Sequence, residues 1–255
     1  MSIEIITLPA LADNYVFLIH NNDTDETALV DCPDDPIIEL ELENRGWTLS
    51  TILLTHHHWD HADGAAELAN STGAKILGAK ADAHRLPKLD IVVEPGDSFS
   101  VAGATGHVIN VPGHTVGHIA FHFPELRAAF TGDSLMAMGC GRLFEGTADQ
   151  MWDSLQTLSA LPSDTVLYSG HEYTQANARF AKTVDPDNPA LEDRITEIEN
   201  LRAANQPTVP STLALELATN PFLRAIDPAV KAHIGMPNAT DAQAFAEIRT
   251  RKDNF

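Results

Sequence analysis

The chain is poor in positive charge. Lysine and arginine number 16 against 36 aspartates and glutamates, a formal net charge of −20 over 255 residues. That balance excludes nucleic acid as a partner, because holding phosphates requires basic patches. It also makes any local cluster of basic side chains informative, since an anionic ligand would have to be drawn in against the overall field. Cysteine is almost absent. Cys32 and Cys140 are the two, and neither sits in a CxxC pair. A disulfide scaffold is excluded, and both read as small buried residues rather than nucleophiles. Long apolar runs are missing too. No stretch approaches the roughly 20 residues of a membrane span, and the first residues lack the basic, apolar, small-residue order of an export leader. These absences set the expectation of a cytoplasmic protein with no membrane partner; a monomer is expected as well.

What is present is a core and a cluster. Hydrophobic residues make up 44% of the chain, enough for a packed interior. The cluster is Thr55-His56-His57-His58-Trp59-Asp60-His61. It follows the apolar run Ile52-Leu53-Leu54, which reads as a buried strand. It precedes Ala62 to Asn70, which reads as a helix ending near Gly73. The cluster therefore lies on a strand-to-helix loop, where α/β proteins place binding groups. Imidazole and carboxylate suit zinc, and also iron or manganese. His56 and His58, two apart in an extended segment, face the same way, while His57 faces away. Asp60 and His61 turn toward a second point, which implies a pair of metals. Trp59 reads as packing.

Four ligand-type residues follow predicted strands. They are His56, then His114 in Pro112-Gly113-His114, Asp133 in Thr131-Gly132-Asp133-Ser134, and His171 in Ser169-Gly170-His171. His56, His58 and His114 suit one metal, Asp60, His61 and His171 a second, and Asp133 a bridge. Asp60 and Asp133 are the catalytic carboxylates of this reading. His118 reads as a partner of a ligand histidine, and Asp31 as a group that orients one. Two dications with few compensating charges lower the pKa of bound water and favour an anionic transition state. Esters, thioesters, lactones, amides and phosphodiesters all remain open.

Strands and flanking helices occupy the chain up to about Tyr173: strands at 3–8, 15–19, 27–30, 52–54, 75–77, 98–101, 107–111, 119–123, 128–130 and 165–168, with helices over 36–45 and 147–161. Beyond it only helices are expected, over 174–181, 188–205, 211–219 and 240–251, punctuated by prolines. Residues 1–174 are read as a catalytic domain of two packed sheets with helices outside, and 175–255 as a helical domain.

The motif THHHWDH resembles that of glyoxalase II, the hydroxyacylglutathione hydrolases of the metallo-β-lactamase superfamily. Further matching segments are Gly139 to Thr147 (GCGRLFEGT), Gly170 to Thr174 (GHEYT), Val209 to Thr212 and the tail Arg249 to Asp253. The resemblance implies an α/β fold, the αββα sandwich with a C-terminal helical domain. It implies two divalent metals, zinc with iron or manganese as alternatives, on His56, His58, His114 and Asp133 and on Asp60, His61, His171 and Asp133. It implies hydrolysis of S-D-lactoylglutathione to D-lactate and glutathione. The glutathione contacts it implies are Arg142, Phe144, Tyr173, Arg249 and Lys252, with Phe144 standing where the animal pattern has tyrosine. Other readings of the same residues are a lactonase, a glutathione persulfide dioxygenase with one iron, and a metal-binding module without activity. A β-lactamase fits less well, since Asp133 stands where one lactamase pattern has cysteine and bridges where another has no carboxylate.

Overall fold

The computed structural model describes residues 2–255. The chain divides into two compact units, one of residues up to Asn110 with Val116–Gly132, the other of Val111–Thr115 with Asp133–Phe255.

The first unit is built on two sheets. Its first sheet runs in order β1 (Ile3–Ala10), β2 (Asn14–Asn21), β3 (Glu26–Val30), β4 (Thr48–Leu53), β5 (Lys75–Ala79) and β6 (Ile91–Val93). The first three strands are an antiparallel meander, and β3 through β6 are parallel. Helices α1 (Ile37–Arg45), α2 (Trp59–Ala62) and α3 (Ala65–Thr72) supply the crossovers that parallel strands require. The second sheet of this unit is the antiparallel run β7 (Ser98–Val101), β8 (Ala104–Asn110), β9 (Ile119–Phe123) and β10 (Ala128–Gly132).

Period-two alternation decides which face meets what. Val16 and Leu18 of β2, with Leu29, Ile52 and Ile76, pack against Ile38 and Leu42 of α1 and Leu68 of α3. Phe17, on the opposite face of β2, meets Phe130 of β10 at 5.5 Å between ring centroids, joining the two sheets. Each such buried side chain contributes about 1.5–3 kcal/mol. Gly46 ends α1 in the left-handed conformation, φ 68°, its N–H returning to the last turn.

The helix expected over 62–70 is broken in two. Gly64 is the reason: a Cβ there would lie 2.3 Å from the Pro33 carbonyl oxygen, and the Gly64 N–H donates to the Cys32 carbonyl instead. Two expectations need correction. Trp59 is 64% exposed rather than a packed residue. The connection after β5 holds a strand, β6, that the sequence reading passed over because three residues carry little periodicity.

The second unit contains β11 (Leu135–Met136) paired with β12 (Gly139–Cys140), α4 (Ala148–Ser159), β13 (Val166–Ser169), α5 (Thr174–Val184), α6 (Pro189–Ala203), β14 (Ser211–Thr212), α7 (Leu213–Thr219), α8 (Pro228–His233) and α9 (Asp241–Asp253). The predicted capping box opens α4, Thr147 accepting from the Gln150 N–H and Gln150 from the Thr147 N–H. The C-terminal stretch is not purely helical, because Ser211–Thr212 pairs antiparallel with β13.

A buried ion pair organises this unit. Glu216 and Arg194 are almost wholly buried and bonded to each other. Glu216 also accepts from Ser211 Oγ at 2.6 Å, Asn220 Nδ2 at 3.0 Å and the Met138 N–H at 2.9 Å. Asn220 Nδ2 donates to the carbonyls of Met136 and Gly139. One carboxylate thereby fixes the short β11–β12 hairpin. Such pairs stand when every lone pair is matched, as here. No described helix is long and apolar enough to cross a membrane.

Candidate metal centre

The histidine cluster leaves β4 and enters α2, and its geometry is set by two buried carboxylates. Asp31 sits at the end of β3 with φ 58°. Its Oδ1 accepts the Thr55 N–H at 2.8 Å, and its Oδ2 accepts the Thr55 hydroxyl at 2.9 Å. The same Oδ2 lies 2.8 Å from His61 Nδ1. Thr55 Oγ1 in turn lies 3.0 Å from His56 Nδ1. With both Nδ1 atoms donating into this network, Nε2 is the ligand-type nitrogen of His56 and of His61, as in the carboxylate–histidine pairs of metal sites. His56 Nε2 and His58 Nδ1 converge to 3.1 Å. Two nitrogens on one tetrahedral ion at about 2.0–2.1 Å each would stand about 3.3 Å apart.

Asp82 is the second carboxylate, fully buried. Its Oδ2 meets His57 Nδ1 at 3.1 Å and its Oδ1 pairs with Arg85 at 2.5 Å. This turns His57 out of the cluster. His118 is buried and stacks on the His56 ring at 4.6 Å and 13°, its Nδ1 directed at the Ile119 carbonyl. Gly132, φ 48°, lets the backbone approach both: a Cβ there would lie 2.6 Å from Thr55 Oγ1 and 2.8 Å from His118 Cε1. Asp60 is held by Asn14 Nδ2, 3.1 Å from its Oδ2.

In the second unit, His114 Nδ1 donates to the Arg142 carbonyl at 2.8 Å, which aims Nε2 inward. Asp133 Oδ2 lies 3.4 Å from His114 Nε2 and 3.2 Å from His171 Nε2. Gly141 is required here, since a Cβ would come within 2.0 Å of the Asp133 carbonyl and 2.9 Å of the His114 ring. Each unit by itself thus gathers ligand-type groups: His56, His58, Asp60 and His61 on one loop of the first, and His114 and His171 about Asp133 in the second. Imidazole nitrogens aimed by second hydrogen bonds, joined by carboxylate oxygens, form a donor set that fits two divalent ions.

The five residues expected on the substrate side are distributed differently. Phe144 is 62% exposed and lies edge-on to the His114 ring. Tyr173 stacks flat on His171 at 4.6 Å. Arg142 is exposed, 3.4 Å from Asp253. Arg249 is buried: it donates to the Cys140 carbonyl at 2.9 Å, bonds Asp253 at 2.9 Å and lies over the Phe222 ring. Lys252 Nζ is 3.4 Å from the Ala176 carbonyl, over the rings of Phe180 and Phe255. Burial pushes the Cys140 thiol up to about 11 and the Cys32 thiol up to about 12. Both are protonated at neutral pH and unsuited to attack.

Sequence reasoning missed Asp82, Thr55, Glu216 and Asn220. Thr55 lies inside the histidine motif, but its role depends on Asp31; Asp82, Glu216 and Asn220 matter through His57, Met138 and Met136, which are distant in the chain, so no local motif marks them.

Residues 11–171 match the metallo-beta-lactamase superfamily and residues 172–255 the hydroxyacylglutathione hydrolase C-terminus. The chain is 59% identical to the hydroxyacylglutathione hydrolase of Ruegeria pomeroyi over 100% of both chains. It is 49% identical to that of Methylococcus capsulatus over 99% of both. Among solved structures, ETHE1 from Myxococcus xanthus matches with TM-score 0.67 at 22% identity, covering 98% of this chain and 90% of that one. The BLEG-1 B3 metallo-beta-lactamase matches with TM-score 0.67 at 19% identity, covering 86% and 99%. At those identities they speak to the fold alone, which is the expected α/β sandwich with a C-terminal helical region. The chain belongs to the metallo-β-lactamase superfamily and, within it, to the hydroxyacylglutathione hydrolase family.

Proposed function

We propose that the chain is a two-metal thioesterase that hydrolyses S-D-lactoylglutathione, and other S-2-hydroxyacylglutathiones, to the 2-hydroxy acid and glutathione. This is the second step of methylglyoxal detoxification. His56, His58 and His114 would hold one ion, and Asp60, His61 and His171 the other. Asp133 would serve both, in keeping with its Oδ2 lying close to both His114 and His171. Two divalent cations bound there would supply polarisation of the acyl carbonyl and hydroxide near neutral pH. We assign zinc to both positions, with iron or manganese as alternatives.

The chain's own groups do the positioning. Asp31 and Thr55 keep His56 and His61 in the tautomer that ligates through Nε2. Asn14 holds Asp60, and the Arg142 carbonyl holds His114. A thiolate leaving group needs no strong acid, so no further proton donor is required. Arg142, Phe144, Tyr173, Arg249 and Lys252 form the glutathione side. Arg249 serves it by fixing the Cys140 carbonyl, next to Gly141-Arg142. The catalytic domain is assigned to 1–174 and the helical domain to 175–255, close to the family bounds 11–171 and 172–255. A cytoplasmic monomer completes the reading.

The observation that carries the proposal is the match of 172–255 to the hydroxyacylglutathione hydrolase C-terminus. The ligand set by itself would serve any ester, lactone or thioester. The test is turnover of S-D-lactoylglutathione by protein loaded with zinc, beside the same protein stripped by chelator. Metal-dependent release of glutathione is expected. Absence of turnover with two zinc ions bound per chain would refute the thioesterase and point to lactones or glutathione persulfide.

A further inference from the structure

The second unit contains an uncompensated pair of cations. Every other lysine and arginine in it has a carboxylate oxygen within 4.0 Å. Among the described residues of this unit, Arg179 and Lys252 are the two that have none. They are neighbours. The Lys252 ammonium rests against the Ala176 carbonyl at 3.4 Å and over the Phe180 ring at 5.3 Å. Arg179 is on the same helix, α5, one turn beyond Ala176 and adjacent to Phe180. It is exposed and makes no hydrogen bond. The proton affinity of Lys252 is lowered, by burial first and then by the positive charges of Arg249 and Arg179. Asp253, the carboxylate at hand, is already shared by Arg142 and Arg249. In a chain of net charge −20, two cations side by side without an acid form a local positive pole. An anion seated there would relieve their mutual repulsion.

The position fits the substrate class. His171 is followed by Tyr173, whose ring stacks on it, and α5 starts at Thr174. Six residues of helix rise about 9 Å from Tyr173 to Arg179. An extended tripeptide spans about 10 Å. A glutathione thioester reacting beside His171 can therefore reach the cation pair with a terminal carboxylate. Guanidinium presents a planar fork that matches a carboxylate.

Resting on the thioesterase reading above, we propose that Arg179 is a specificity-determining residue. Its guanidinium, together with the Lys252 ammonium, binds a terminal carboxylate of the glutathione moiety. Arg179 is exposed, so its replacement leaves the fold intact.

The experiment compares wild type, Arg179→Gln and Arg179→Lys on two substrates. One is S-D-lactoylglutathione. The other is the D-lactoyl thioester of N-acetylcysteamine, which lacks both carboxylates. An exposed charge pair is worth up to about 1 kcal/mol, a factor of about five. Arg179→Gln is expected to raise KM for the glutathione thioester about fivefold with little change in kcat. The preference in kcat/KM for that substrate over the truncated one falls by the same factor, and Arg179→Lys restores most of it. An unchanged preference in Arg179→Gln, or an equal loss on both substrates, would overturn the assignment while leaving the thioesterase standing. Absence of turnover by wild type on either thioester would overturn both.

Discussion

The loop 55–61 and the basic tail 249–252 are held in different ways. In the loop the side chains that matter are fixed from outside by carboxylates. Asp31 and Thr55 aim His56 and His61, and Asp82 turns His57 away. In the tail the fixing is unequal: Arg249 is buried against Cys140 and Asp253, while Lys252 rests on one carbonyl and two aromatic rings. Metal ligation tolerates little error in direction, so each ligand needs a second hydrogen bond. An anionic tripeptide is attracted at longer range and accepts a softer arrangement. Two residues three apart in one motif are therefore held differently, Arg249 enclosed by hydrogen bonds and Lys252 half-buried against two rings.

The difference can be tested, beginning where the effect is largest. Asp31→Ala removes the acceptor of both Thr55 and His61. Metal affinity is expected to fall about 10- to 100-fold, read by titrating zinc into stripped protein; wild-type affinity would show that the loop orders its histidines without Asp31. In the tail, Arg249→Ala is expected to lower stability by about 2 kcal/mol, because a charged hydrogen bond to a buried carbonyl is lost. Lys252→Ala should cost under about 1 kcal/mol, since only a long contact and ring packing go with it. Urea unfolding of the metal-loaded variants compares them, and equal losses would erase the difference in how the two are held.

A last test, confined to alkaline pH, concerns the two buried thiols, one in each unit. Both have folded pKa values raised, to about 12 for Cys32 and about 11 for Cys140, against 9.0 unperturbed. Below pH 9 both states bind these protons equally and nothing is lost. Above it the unfolded chain releases them first, so stability declines as pH rises from about 9 toward 11–12. Cys32→Ala should flatten that decline. An alkaline limb identical to wild type would show that other groups set it.

How much was legible follows from how local each feature is. The cluster His56 to His61 is contiguous, so its chemistry could be read directly, and the strand ends before His114, Asp133 and His171 were visible as apolar runs followed by glycine-bearing turns. The Thr147–Gln150 box marked its helix for the same reason. Strands β6, β11, β12 and β14 have two or three residues each. They exist because neighbours supply hydrogen bonds, and so carry no pattern of their own. The break at Gly64 depends on Pro33, thirty-one positions earlier, approaching its Cα.

The sequence by itself determined the metal chemistry, the family and the strand-then-helix order of the chain. These depend on residue type and short spacing. Tertiary structure alone decided that Asp31 serves two histidines, that Asp82 takes His57, that Glu216 fixes a hairpin from 78 residues away, and that Arg249 is enclosed while Arg179 stands free beside Lys252. Those outcomes depend on which buried donors and acceptors meet once the chain is folded, and burial makes each such meeting a matter of kilocalories.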